Sequence, residues 1–98
     1  MRYEFTSELW RWKGRVDSTW VFASVPEEVS DEIQQVVAGM ENGFGSVRVD
    51  VSLGASRWRT SIFPSDRAYS LPIKKAVRSA EGVDLGDEVR LAIELVDF

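Results

Sequence analysis

Alternating apolar and polar residues predict that most of this chain forms β-strands. Residues 3–9 alternate, residues 46–53 alternate most clearly, and residues 57–63 and 89–95 repeat the pattern. Residues 20–25 are apolar on both faces, which is typical of a buried strand. The short connection at residues 54–56 predicts a hairpin between its two flanking strands, and Pro64 is expected to end the second of them.

Two segments have helical spacing, and each is predicted to begin at a proline. After Pro26, apolar residues recur at helical intervals: Val29, Ile33, Val36, Val37 and Met40. After Pro72, the predicted apolar stripe consists of Ile73, Ala76, Val77 and Ala80. Lys74, Lys75 and Arg78 are expected on the solvent side of this second helix, and Gly82 stands where a glycine cap belongs.

The predicted order of elements is β-β-α-β-β-α-β, with a sixth strand allowed where the first one breaks near Trp10. Five or six strands with two short helices predict a mainly β fold, a compact barrel plugged by helices. At 98 residues and 44% apolar content, the chain can bury one core without disulfides or metals. We therefore expect a single domain over residues 1–98, with the barrel running from about residue 3 to residue 96.

The composition excludes several kinds of chemistry. The sequence contains no cysteine and no histidine, which removes thiol catalysis, His-based triads and thiolate or imidazole metal sites. The acidic run Asp84–Glu88 lacks the ligand spacing of a calcium loop and is interpreted as a turn. We predict no catalytic residue, no metal and no cofactor. No apolar run is long enough to span a membrane, and we expect a cytoplasmic protein.

Charge is distributed unevenly along the chain. The net charge is −4, yet residues 57–78 carry one acidic and six basic side chains: Arg57, Arg59, Arg67, Lys74, Lys75 and Arg78. Gathered on one face, these side chains would attract anions. Interleaved with acidic segments, they would form an ordinary mixed surface, which is the commoner outcome. Asp50 is expected to form a cross-strand ion pair with Arg57 or Arg59.

The chain is also rich in aromatic residues, with four tryptophans among its 98 residues. Aromatic side chains line small-molecule pockets, and they also fill the interiors of small barrels. The residues open to both interpretations are Trp10, Trp12, Trp20, Phe44, Trp58, Phe63 and Tyr69.

Several motifs resemble a bacterial family called domain of unknown function 1905. The stretches that carry the resemblance, over nearly the whole chain, are Phe5–Trp10, Val25-Pro26, Gly43–Val49, Trp58–Pro64, Leu71–Arg78 and Gly86-Asp87. The resemblance implies a double-split β-barrel. It implies little about activity, because the family has no established one.

A second, local resemblance covers residues 71–93. Leu71-Pro72, the short helix to Arg78, Gly82, Gly86-Asp87 and the strand after them are similar to swapped-hairpin transition-state-regulator-like proteins and antitoxins. That resemblance implies dimerisation and DNA binding. The present chain is long enough to supply both halves of a barrel, so dimerisation is not forced, and either a monomer or a homodimer is expected.

The working hypothesis is a non-catalytic binding module for an anionic small molecule or partner, with its site where the Trp58 hairpin meets the second helix. The candidate ligand-binding residues are Arg48, Trp58, Arg59, Thr60, Tyr69, Lys74, Lys75 and Arg78. Two alternatives stay open: a DNA-binding regulator, and an enzyme or enzyme accessory that uses a barrel pocket. The low overall basicity does not favour nucleic acid as the partner.

Overall fold

A computed structural model describes residues 1–11, 20–40 and 45–96. Trp12 and Phe44 lie outside the described residues. The elements follow in chain order: β1 (Arg2–Arg11), β2 (Val21–Ser24), α1 (Glu27–Val37), β3 (Val47–Leu53), β4 (Ser56–Ser65), β5 (Ala68–Pro72), α2 (Lys75–Glu81) and β6 (Glu88–Leu95). This is the predicted mainly β arrangement with two short helices, to which the structure adds the strand β5.

The strands form a closed barrel in the order β1-β2-β5-β4-β3-β6, and every neighbouring pair is antiparallel. The long strand β1 pairs with β6 over Arg2–Glu8 and then with β2 over Leu9–Arg11. The first strand therefore does not break near Trp10 but changes partners there. The first and last strands lie side by side, and the Leu95 amide donates to the Met1 carbonyl over 2.9 Å.

The inward side chains of the strands fill the barrel, as the alternation predicted. Its fully buried members include Leu9, Val49, Ile62, Leu71 and Ile93. The helix α1 begins directly after Pro26, as predicted, and buries Ile33 and Val37 against this core. Met40 is exposed because α1 ends at Val37, so the predicted stripe is one position too long.

Both remaining prolines belong to strands rather than marking their limits. Pro64 lies within β4 opposite Tyr69, at a point where β3 no longer pairs with β4. A proline is tolerated there because β4 needs no amide donor on its open side. Pro72 is the last residue of β5, and α2 begins three residues later at Lys75. The expected helix start at Pro72 is therefore wrong.

The strand β5 was missed because its connection to β4 carries no glycine. Asp66 and Arg67 form a two-residue turn, in which Asp66 adopts a φ of 53°. Glycine and asparagine are the residues usually found with positive φ in such turns, so Ser-Asp-Arg-Ala gives a weak hairpin signal.

Neither α1 nor α2, the two helices of the described residues, has the length and apolar character that a membrane span requires.

Candidate ligand-binding groove

A groove of about 600 Å³ opens where the end of β5 leads into α2. We call it the groove; its lining residues are Trp20, Val21, Thr60, Phe63, Pro72, Ile73, Lys74, Lys75 and Arg78. Its volume is within the range typical of small-molecule sites, and its wall is mainly apolar, as in such sites. Trp20 is 62% exposed and Phe63 is 44% exposed, so two large aromatic side chains are accessible to a ligand here.

Lys74 and Lys75 supply positive charge to the groove. Both side chains are exposed, and neither forms an ion pair with any of the residues that the structure describes. Thr60, on the neighbouring strand β4, adds a hydroxyl group to the same wall. The predicted meeting of β4 with the second helix therefore brings together Thr60, Lys74 and Lys75.

Arg78 also lines the groove, but its guanidinium group is already engaged. Its Nη1 donates a 2.6 Å hydrogen bond to the Ile73 carbonyl, and its Nε lies 3.8 Å from a carboxylate oxygen of Asp84. The side chain is only 13% exposed. The expectation that Arg78 lies on the solvent side of the helix is therefore wrong, because this side chain folds back to hold the start of α2.

Four of the predicted site residues do not line the groove. Arg59 forms two hydrogen bonds with Asp50 across the β3–β4 pair, of 2.7 and 3.1 Å, as expected for a cross-strand ion pair. The hydrogen bond from Arg59, with its charge, holds the pKa of the Asp50 carboxyl below its usual range. Arg48 is exposed on β3, away from the groove lining.

Trp58 and Tyr69 belong to the interior instead. Tyr69 is buried among the core residues, and Trp58 is half-buried against the same core. The Trp58 indole N–H is buried and has no hydrogen-bond partner among the described residues. Both residues pack against the core, and each also lines a surface depression away from the groove.

The six basic side chains of residues 57–78 are divided among different surfaces. Lys74, Lys75 and Arg78 line the groove. Arg57 and Arg59 line a separate depression over β3 and β4. Arg67 lies at the β4–β5 turn. Folding thus separates the basic residues instead of gathering all of them on one face.

The groove also contains five apolar residues outside the predicted set of ligand-binding residues: Trp20, Val21, Phe63, Pro72 and Ile73. Trp20 was grouped with a strand buried on both faces, yet β2 begins at Val21 and alternates between buried and accessible positions. A signal was present in the spacing: Trp20 is two positions before Phe22, and the two rings lie 6.1 Å apart on the outer surface. That face could only be recognised once β2 was placed beside β5.

The acidic run from Asp84 to Glu88 forms a turn, as interpreted from the sequence. The Asp87 carboxylate accepts the Asp84 amide over 2.8 Å, and the Asp84 carboxylate accepts the Leu85 amide over 2.8 Å. Within residues 1–11, 20–40 and 45–96, no group of three or more acidic side chains is arranged to hold a metal ion.

Residues 5–93 match the family described as Domain of unknown function (DUF1905). No curated protein sequence matches the chain. The matched region contains the whole of β2 to β5, both helices and most of β1 and β6. The chain therefore belongs to this family, whose members share a domain of unknown function.

Proposed function

We propose that this barrel is a non-catalytic binding module, and that its groove holds a small molecule with a flat apolar portion and an anionic group. One observation carries the proposal: a mainly apolar groove has two exposed lysines on its lining, without ion-pair partners among the described residues. Apolar walls combined with a few polar groups are the usual composition of a ligand site.

Each lining residue has a distinct role in this proposal. Trp20 and Phe63 contact the flat portion of the ligand, because exposed aromatic rings offer a large apolar area for stacking. Lys74 and Lys75 contact the anionic group as mobile point charges. Thr60 offers one hydroxyl for a hydrogen bond. Arg78 is a positioning residue, since its guanidinium holds the segment that carries both lysines.

The other two hypotheses receive less support from the arrangement of the side chains. A duplex-binding regulator needs a continuous basic surface, whereas the basic residues here are divided among three places. An enzyme needs an activated acid, base or nucleophile, and the sequence lacks histidine and cysteine, two of the residue types that most often fill these roles.

The test is a titration of the ¹⁵N-labelled protein with 2-naphthyl phosphate, followed by amide chemical shifts. We expect saturable shifts confined to amides of the groove, such as those of Val21, Phe63 and Lys75. The neutral 2-naphthalenemethanol and inorganic phosphate, each alone, are expected to bind more weakly, because each offers only half of the required contacts.

Two matched variants make this test specific. Lys74→Gln combined with Lys75→Gln removes two charges from the groove, and we expect at least about a tenfold loss of affinity, equivalent to roughly 1.4 kcal/mol. Arg57→Gln combined with Arg90→Gln removes the same charge from exposed positions outside it and should leave the affinity unchanged. Equal losses in the two variants, or shifts scattered over the whole barrel, would rule the groove out as the site.

A further inference from the structure

Aromatic side chains cover the outer surface of the barrel next to the groove. Phe22 on β2 is the register partner of both Trp10 on β1 and Pro72 on β5. The Trp10 and Phe22 rings stack with centroids 5.1 Å apart, and the Trp20 and Phe22 rings lie 6.1 Å apart. Phe63 on β4 completes this surface. We call it the aromatic face, and it consists of Trp10, Trp20, Phe22, Phe63 and Pro72.

The aromatic face connects the groove with a second depression of about 590 Å³. The lining of the second depression is Trp10, Ser24, Ser65, Asp66, Arg67, Ala68 and Ser70. Ser70 is the register partner of Ser24 on one side and of Phe63 on the other, so the two depressions adjoin on the same outer surface. Four neighbouring strands cover roughly 14 Å at the usual spacing of β-sheets.

Positive charge lies on both sides of the aromatic face. Lys74 and Lys75 lie at the groove, and Arg67 lies at the second depression. None of these three side chains forms an ion pair with a residue in the described part of the chain. A ligand that contacts both sides must therefore carry at least two separated anionic groups with flat, stackable groups between them.

We propose that the ligand is a short stretch of single-stranded nucleic acid, whose bases stack on the aromatic face and whose phosphates contact Lys74, Lys75 and Arg67. This inference rests on the proposed function, because it assigns a chemical class to the ligand of the groove. Aromatic side chains beside a cationic groove are the usual means by which proteins bind single strands without sequence preference.

The same geometry argues against duplex DNA as the occupant of this surface. In a duplex the base faces are stacked on one another, so Trp20 and Phe63 would have no exposed base to contact. The Ser24 hydroxyl lies exposed on the same surface, where it accepts a 3.0 Å hydrogen bond from the Trp10 indole N–H and retains its own proton to donate to a sugar or phosphate oxygen.

Charge sets the conditions under which binding is measurable. The chain has a net charge of −4, and Asp66 lies beside Arg67 in the second depression. Long-range attraction of a polyanion is therefore weak, and binding depends on the local contacts. We expect low affinity that falls as salt is added, so the measurement belongs at low ionic strength.

The experiment measures fluorescence anisotropy of a labelled eight-residue oligothymidylate. A labelled oligomer of the same length with abasic residues, and a duplex, serve as the comparisons. We expect the oligothymidylate to bind at least tenfold more tightly than the abasic oligomer. Three phosphate contacts should give a slope of about −2 for the logarithm of the binding constant against the logarithm of salt concentration.

Substitutions separate stacking from charge. Trp20→Ala should weaken oligothymidylate binding about 5-fold to 100-fold while leaving the salt slope unchanged, because it removes a stacking surface and no charge. Lys74→Gln combined with Lys75→Gln should make the binding constant less dependent on salt, because two phosphate contacts are lost. Arg57→Gln combined with Arg90→Gln should change neither the affinity for the oligothymidylate nor its salt dependence. Circular dichroism of each variant verifies that the barrel has folded.

The outcomes distinguish this inference from the proposed function. If 2-naphthyl phosphate binds in the groove and the oligothymidylate does not bind, the function stands and the nucleic-acid inference is overturned. Equal affinity for the abasic oligomer, or tighter binding of the duplex, also overturns it. If neither 2-naphthyl phosphate nor the oligothymidylate binds, both the proposed function and the nucleic-acid inference are wrong. A dimer that Trp20→Ala converts to a monomer, without oligomer binding, would instead assign the aromatic face to a second copy of the chain.

Discussion

Glu81 and Ser56, separated by 25 residues in the chain, are joined by a 2.6 Å hydrogen bond. The Ser56 hydroxyl donates to one oxygen of the Glu81 carboxylate, and the backbone amide of Ala55 donates to the other over 3.3 Å. The last residue of α2 thereby caps the turn between β3 and β4. Because Arg78 holds the other end of this short helix through the Ile73 carbonyl, α2 is fixed to the barrel at both ends.

Gly54 makes this contact possible, and we predict that Gly54→Ala destabilises the barrel. Gly54 has a φ of 58°, and a Cβ atom at this position would collide with the Glu81 carboxylate. Backbone strain of this kind costs about 1–3 kcal/mol, and displacement of Glu81 adds to it. The measurement is the free energy of unfolding from urea titration.

Gly82→Ala is the matched control for that prediction. Gly82 has a similar φ of 66°, but a Cβ atom there meets nothing within 4 Å. It caps α2 through bonds from the Gly82 and Val83 amides to the Ser79 and Arg78 carbonyls. Gly82→Ala should therefore lose stability through backbone strain alone, and by less than Gly54→Ala. An equal loss of stability in the two variants would refute the role of the Glu81 contact.

Ser30 is predicted to stabilise the junction between α1 and β5. This side chain is 3% exposed; its hydroxyl donates to the Val25 carbonyl over 3.2 Å and accepts the Tyr69 amide over 3.0 Å. Because β2 ends at Ser24, the Tyr69 amide on β5 has no partner residue in β2. The Ser30 hydroxyl accepts the hydrogen bond of this amide instead. Ser30→Ala leaves buried polar groups unpaired and should cost about 1–3 kcal/mol.

Hydrogen exchange gives a local readout for the Ser30 prediction. The Tyr69 amide should exchange faster in Ser30→Ala than in the unmodified protein, because its acceptor is gone. Ser79→Ala, at an exposed position on α2, is the control and should change neither the exchange at Tyr69 nor the stability by more than about 0.5 kcal/mol. Unchanged protection of the Tyr69 amide would contradict the assigned contact.

Asp50 should contribute a pH-dependent component to stability. Arg59 lowers its pKa in the folded state, so the folded protein favours the charged carboxylate more than the unfolded chain does. The stabilisation from Asp50 is fully present above the pKa that this carboxyl has in the unfolded chain. It is lost as the pH falls through the lower pKa of Asp50 in the folded protein. Carboxyl ¹³C shifts should show a higher pKa for Asp50 in Arg59→Gln; Arg57→Gln is the control and should leave it unchanged.

Arg78 and the two lysines should behave differently when each is replaced by alanine. Arg78→Ala removes the bond to the Ile73 carbonyl from a largely buried position, and we expect a loss of about 1–3 kcal/mol of stability. Lys74→Ala and Lys75→Ala should change stability by less than about 0.5 kcal/mol, because both side chains are exposed and unpaired among the described residues. Thermal unfolding of the three variants provides the comparison; a loss in the lysine variants as large as in Arg78→Ala would contradict it.

Much of the fold could be predicted from the sequence because its strands follow a strict two-residue period. The inward residues Val47, Val49 and Val51 are all buried, as the alternation required. Alternation also predicted that Asp50 pairs with Arg57 or Arg59. The two-residue turn between Leu53 and Ser56 fixes the register in which Arg59 is the partner. Local patterns were sufficient for the β3–β4 hairpin, but not for the β4–β5 hairpin, whose turn carries no glycine.

The groove could be predicted only in part, because its two walls come from segments far apart in sequence. The lysines and Thr60 were recognised by their residue type and their nearness to β4. Trp20 was named only among the aromatic residues open to pocket lining or core packing, and Pro72 was not named as a site residue. The positions of both depend on the pairing of β2 with β5, which lie almost 50 residues apart. Arg78 was misplaced because helical periodicity gives the direction of a side chain at Cβ and not the path of a long flexible chain.

The pairing of β1 with β6 also has a consequence for how the barrel forms during synthesis on the ribosome. Every partner of β1 from Arg2 to Glu8 belongs to the final strand, so this half of β1 emerges long before the segment that covers it. Formation of this seam has to wait until β6 has left the exit tunnel, and non-local pairings of this kind slow folding. Until β6 has emerged, Phe5 lacks its native neighbours on that strand, and the nascent β1 is exposed to non-native contacts.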